Sequence, residues 1–134
     1  MKIAVTSGGD HLEAPLSPVF GRCSAYIFVD TETMEYEVAP NPASGATGGA
    51  GIQAAQFMVE RNVEAIVTGN VGPNAYGVLS SADIPVYVSS AETVQQAVEA
   101  FKAGELKTVS NANVPGHFGT GGGRGRGMGR GRRQ

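Results

Sequence analysis

This chain of 134 residues has a single cysteine, Cys23. No disulfide can therefore form within it, which fits a reducing cytoplasm. No apolar run is long enough to span a bilayer. Met1-Lys2 leads straight into Ile3-Ala4-Val5, with neither an apolar leader region nor a cleavage site, so a cytoplasmic protein without a membrane partner is expected. Basic residues are scarce over most of the length. Residues 1–110 hold all twelve acids but only Lys2, Arg22, Arg61, Lys102 and Lys107, a net charge of −7. Such a body does not suit a nucleic-acid-binding core. Catalytic signatures are missing as well. There is no G-x-S-x-G elbow and no phosphate-loop lysine, and neither His11 nor His117 has C-x-x-C or H-x-x-x-H company. Paired carboxylates for metal-assisted phosphoryl chemistry would need acids on central strands. The first strand offers only Lys2 among charged residues, and Asp10 lies beyond its end. No enzymatic activity is expected.

What is present reads as one α/β domain over residues 1–110. Ile3-Ala4-Val5 is a buried strand stopped by Ser7-Gly8-Gly9, and the polar, proline-broken stretch 10–22 is a loop. Ala25–Val29 is a β-branched and aromatic strand. Met34–Ala39 alternates apolar and acidic residues, so the two form an antiparallel hairpin. Asn41 to Gly51 is a small-residue loop entering a helix with Ile52, Ala55 and Val59 on one face. Val63–Thr68 is a strand, Pro73 starts a short helix, and Pro85–Val88 is a strand. Ser89 and Glu92 have the spacing of a capping box before a helix with Val94, Ala97, Val98 and Phe101 as its stripe, ended by Gly104. The order β-β-β-α-β-α-β-α predicts a five-stranded mixed sheet with helices packed on it and right-handed parallel crossovers. Residues 111–134 lack apolar periodicity and gather Arg124, Arg126, Arg130, Arg132 and Arg133 among glycines, the composition of a disordered tail.

Three glycine-rich loops mark a candidate site: Gly8-Gly9, Gly48-Gly49-Ala50-Gly51, and Gly69-Asn70-Val71-Gly72. Ligands of open α/β sheets settle beyond the carboxyl ends of the strands, where helix N-termini present unpaired N–H groups to an anion. Two of the loops follow strands in this way, so a bound anion is weighed against glycines that serve only tight turns. Gly49–Ala54 matches G-x-G-x-x-A formally, but it follows no strand and has no acid about 20 residues on, so nucleotide binding is not favoured. A lone cysteine is commonly a small buried hydrophobe. Cys23 has Arg22 beside it and a loop before it, which would favour a soft thiolate ligand if the site is open. His11, on the loop after the first strand, is a second candidate metal ligand, and His117 reads as solvated.

These residues resemble the dinitrogenase iron-molybdenum cofactor biosynthesis proteins, small carriers related to the nitrogenase accessory factors. The likeness covers nearly all of 2–107. It is carried by Lys2-Ile3-Ala4-Val5, Phe20-Gly21-Arg22-Cys23, Asn41, Gly48-Gly49-Ala50-Gly51, Gly69–Ala75 and Gly104-Glu105-Leu106. The resemblance implies a ribonuclease-H-like fold and the holding of a metal–sulfur cluster of iron-molybdenum, other molybdenum-containing or iron–sulfur type. The holding residues would be the glycine loops, Asn41, Arg22 and Cys23. Cluster donor or acceptor proteins are the implied partners. Nitrogenase-associated members carry a histidine just before Phe-Gly, where this chain has Val19. Two alternatives compete: a regulatory or interaction domain that binds a small anion, and an RNA-associated protein acting through its Gly/Arg tail, the one route left to nucleic acid.

Overall fold

A computed structural model describes residues 1–43, 45 and 48–109; the Gly/Arg tail lies outside them. The strands are β1 (Lys2–Ser7), β2 (Ala25–Asp30), β3 (Tyr36–Pro40), β4 (Ala65–Thr68), β5 (Val86–Val88) and β6 (Lys107–Thr108). The helices are α1 (Ala50–Glu60), α2 (Pro73–Ser81) and α3 (Val94–Lys102), and a 3-10 turn spans Phe20–Arg22.

They build one mixed sheet in the order β3-β2-β1-β4-β5-β6. β1, β4 and β5 run parallel, while the β1–β2, β2–β3 and β5–β6 pairs are antiparallel. The sheet has six strands rather than the expected five. β6 is two exposed residues, Lys107 and Thr108, too short and too polar to show any pattern. Tertiary structure creates it. Gly104, at φ +73°, turns the chain out of α3, Leu106 packs among the residues beneath that helix, and Val109 N–H then donates to the Val86 carbonyl.

Helices cover both faces, so the central strands are buried on both sides and read as continuous apolar runs. Ile3, Val5, Ile27, Val29, Ala65 and Val67 meet Val94, Ala97 and Val98 of α3. On the opposite face Ala4, Tyr26, Phe28 and Ile66 meet Ala54, Ala55 and Met58 of α1 and Ala75 and Leu79 of α2.

Two helical details differ from the sequence pattern. The inward face of α1 is Ala54, Ala55 and Met58, whereas Ile52 and Val59 stay 36% and 38% exposed. Gly51 sets that rotation. It is wedged between Gly21 and Ala75, and positions three, four and seven residues on follow it inward. The cap of α3 is Thr93, not the Ser89–Glu92 pair. Its Oγ1 accepts from Gln96 N–H at 3.1 Å, Gln96 Oε1 accepts from Glu92 N–H, and Ser89 only closes a local turn onto Ala91.

Candidate functional site

The carboxyl ends of β1 and β4 hold the key to the loop arrangement. Thr6, next to last in β1, and Thr68, the last residue of β4, are fully buried with their hydroxyls 3.0 Å apart. Thr6 Oγ1 also donates to the Ser17 carbonyl at 2.8 Å, which draws the segment after Leu16 across the strand ends. That crossing continues along the turn after β4. Phe20 N–H donates to the Asn70 carbonyl, Asn70 Nδ2 to the Pro18 carbonyl at 3.0 Å, and a methyl group on Gly69 would stand 2.8 Å from the Pro18 oxygen.

Beyond this crossing the 3-10 turn meets the first turns of two helices. A methyl group on Gly21 would come within 3.0 Å of Gly51 Cα and 3.1 Å of its nitrogen, and one on Gly51 within 3.3 Å of Ala75 Cβ. Hydrogen at Gly21 lets the backbone of the turn lie directly on that of α1, and hydrogen at Gly51 leaves room for the Ala75 methyl of α2. The consequence is a cradle of three pieces: the turn at Phe20–Arg22, the start of α1 at Gly49–Gly51, and the start of α2 at Gly72–Ala75. Neither α1 nor α2 has a side-chain cap, and neither has an acid in its first turn. Gly49 enters α1 in the left-handed region, at φ +71°. The first N–H groups of a helix carry partial positive charge and have no partner within the helix, so two such ends side by side favour an anion.

Charge segregates accordingly. The stretches 17–24, 41–57 and 69–77 hold no aspartate or glutamate, although twelve acids stand elsewhere in the body. Arg22, exposed at the end of the 3-10 turn, is the cation of these stretches. A groove of 560 Å³ between α1 and α2, lined by Gln56, Val59, Glu60, Val78, Ser81 and Ala82, includes no cation and carries an acid.

Gly21, Asn41, Gly48, Gly49, Gly51, Gly69, Asn70, Gly72 and Arg22 thus lie along one connected region, and Cys23 lies beneath it. Cys23 is 2% exposed within the core cluster that includes Phe20, Tyr26, Met58 and Ala75. Its Sγ donates to the Phe20 carbonyl at 3.5 Å, as does the Tyr26 hydroxyl. Burial pushes the Cys23 thiol above its usual range and raises Tyr26 too, so the open site on which a thiolate activated by Arg22 depended is not found here.

Gly8, Gly9 and His11 take another course. Their loop leans on the α3 face, where Leu12 and Leu16 pack. Gly8 N–H donates to the Pro15 carbonyl at 2.9 Å, and Gly9 N–H to Ser7 Oγ at 3.0 Å. A methyl on Gly9 would stand 2.9 Å from Ala14 Cβ, so these glycines serve a tight turn. His11 is exposed, and its carbonyl accepts from Ala14 N–H. Among the described residues no group of three His, Cys, Asp or Glu side chains stands ready to hold a metal ion. The residues that sequence reasoning passed over are Thr6, Thr68, Ser17 and Gly21. The available signal was a threonine directly after the apolar run in each of two strands.

The chain is similar to proteins already described. The family model for dinitrogenase iron-molybdenum cofactor matches residues 1–104. An uncharacterized protein of Methanocaldococcus jannaschii is 32% identical over 110 residues, 80% of this chain and 90% of the relative. The apo form of the orange protein from Desulfovibrio gigas superposes with a TM-score of 0.81 at 36% identity, over 84% of this chain and 96% of that one. A Thermotoga protein described as NifB-like superposes with a TM-score of 0.74 at 34% identity, over 84% and 97% of the two chains.

Proposed function

The chain belongs to the dinitrogenase iron-molybdenum cofactor family, and on that premise we propose that it is a non-catalytic carrier of an anionic metal–sulfur cluster. Its cargo is an iron-molybdenum, other molybdenum-containing or iron–sulfur cluster. The observation that carries this reading is the pair of uncapped, acid-free starts of α1 and α2, pressed together through Gly21, Gly51 and Ala75 beside Arg22.

The chemistry follows from the donors present. A large anion with sulfur at its surface is stabilised by several N–H donors and one guanidinium without any bond from protein to metal. With Cys23 buried as a neutral thiol, the cargo is held whole, by backbone dipoles and charge, and can leave whole. That suits a protein receiving the cluster from a donor and passing it to an acceptor. No carboxylate stands on β1, β4 or β5 to drive metal-assisted hydrolysis. Among the described residues no helix is long and apolar enough to cross a membrane, and a single protected thiol fits a reducing cytoplasm.

Anaerobic titration with tetrathiomolybdate, followed by absorbance and equilibrium dialysis, tests the reading. Saturable binding at one site per chain, little affected by excess phosphate, is the expected result. Phosphate displacing thiomolybdate at equal concentration would replace the carrier reading with that of a domain sensing small oxyanions. Absence of binding to either would overturn both.

A further inference from the structure

Asn41 is 3% exposed and stands outside the cradle, yet it is among the most densely bonded side chains near it. Its Nδ2 donates to the Gly21 carbonyl at 3.2 Å and to the Cys23 carbonyl at 3.0 Å. Its Oδ1 accepts from Ala43 N–H at 2.9 Å, and its own N–H donates to the Ser24 carbonyl at 3.1 Å. Every polar atom of the side chain is therefore committed, chiefly to backbone, with Cys23 Sγ a further 4.0 Å neighbour of Nδ2. The turn so held is the one whose Gly21 lies against Gly51, so the connection between β3 and α1 is anchored to that turn twice, by Asn41 where it leaves and by Gly51 where it returns.

We propose that Asn41 is a positioning residue of the anion cradle: by clamping the Gly21 and Cys23 carbonyls it fixes where α1 begins, and so where its first N–H groups stand. The proposal rests on the carrier reading for its consequence in binding, but the clamp itself is a property of the free protein. A buried side-chain amide with three bonds to backbone has no shorter or apolar substitute. Alanine leaves the carbonyls of Gly21 and Cys23 without their donor, and aspartate keeps the acceptor while losing the donor that binds both carbonyls.

The test uses the full chain in three forms, wild type, Asn41→Ala and Val98→Ala, the last being a core truncation on the α3 face that serves as a control for general destabilisation. In the free proteins, amide hydrogen exchange is read at Gln53, whose N–H makes the first bond of α1 to the Gly49 carbonyl at 3.0 Å. Asn41→Ala should speed that exchange at least tenfold relative to Val98→Ala at matched thermal midpoint. Equal rates overturn the proposal whether or not any ligand binds. Tetrathiomolybdate is then titrated into each. Asn41→Ala should bind at least tenfold more weakly than wild type and Val98→Ala within about twofold. If wild type does not bind, the carrier reading falls and the exchange result still decides the clamp. If wild type binds and Asn41→Ala binds equally, the clamp does not serve the cradle and the proposal is overturned.

Discussion

α3 begins on one face of the sheet, α1 and α2 on the other, and the two beginnings are finished in opposite ways. At α3 every early N–H group has a partner. Val94 donates to the Ala14 carbonyl at 3.0 Å, Gln95 to the Leu12 carbonyl at 2.8 Å, and Gln96 to Thr93 Oγ1 at 3.1 Å. The loop after β1 supplies two of those acceptors, which is why it lies over α3 and takes Gly8, Gly9 and His11 with it. At α1 and α2 no side chain caps the first turn and glycine holds the N-cap in both. The filled end is a structural joint, and the pair without side-chain caps is where the proposed carrier reading puts its ligand. A helix start is informative only when its partners have been counted.

The sharpest way to break this contrast is to move the backbones that form the open pair. Gly69→Ala sets a methyl group 2.8 Å from the Pro18 oxygen, where backbone must give way. Overpacking of this kind costs about 2–3 kcal/mol and should lower the thermal midpoint by roughly 10 °C in calorimetry. Thiomolybdate binding should fall with it. An unchanged midpoint would mean the crossing at Pro18 is loose.

Arg22→Gln removes the cation from an exposed position. Binding should weaken about tenfold, near 1.4 kcal/mol, while the midpoint stays within a degree or two. Equal affinity for the two proteins would leave the backbone N–H groups as the whole attraction.

Thr93→Ala acts on the closed end. Loss of the cap should cost about 1 kcal/mol in denaturant unfolding, with affinity unchanged. A loss of affinity here would show that the two faces are coupled through the Thr6–Thr68 pair.

The smallest effect is reserved for Cys23. Because folding raises its pKa, the native state prefers the neutral thiol and the unfolded chain ionises first. Stability from this group is present below pH 9.0, its ordinary value, and is lost as pH climbs beyond it. Cys23→Ala should flatten the fall in midpoint between pH 9 and 10 relative to its own value at pH 7, leaving the contribution of Tyr26 at higher pH. Cys23→Ser should change thiomolybdate affinity less than twofold. A larger loss would restore the thiolate as a ligand.

Parts of this were legible in the residues alone. Ile3–Val5 and Ala25–Val29 declare themselves as strands because apolar runs buried on both faces need no partner to be recognised. Pro73 and Gly104 mark a helix start and a helix stop through local backbone chemistry, at N1 and just beyond the C-cap. The inward face of α1 was not legible. Hydrophobicity pointed to Ile52 and Val59, whereas the need for contact at Gly51 chose the alanines. The short β6 was invisible for want of any side-chain pattern. Whether Cys23 is open could not be read from its neighbours in sequence, because burial is a property of what packs above a residue, here Phe20 and its turn.

The sequence by itself determined the order of strands and helices as far as α3, the glycine-rich loops and the absence of acids from 17–24, 41–57 and 69–77, since these are matters of residue type and spacing. Only the tertiary structure decided which loops meet. The carboxyl ends of the parallel strands face both sides of the sheet, and nothing local tells a glycine loop on which side it will lie. Backbone bonds to the start of α3 claim one loop for that helix. The Thr6–Thr68 hydroxyls and the contact of Gly21 with Gly51 draw the others to α1 and α2. Those contacts join residues 30 to 83 positions apart, a range at which pairing is settled by packing rather than by sequence pattern.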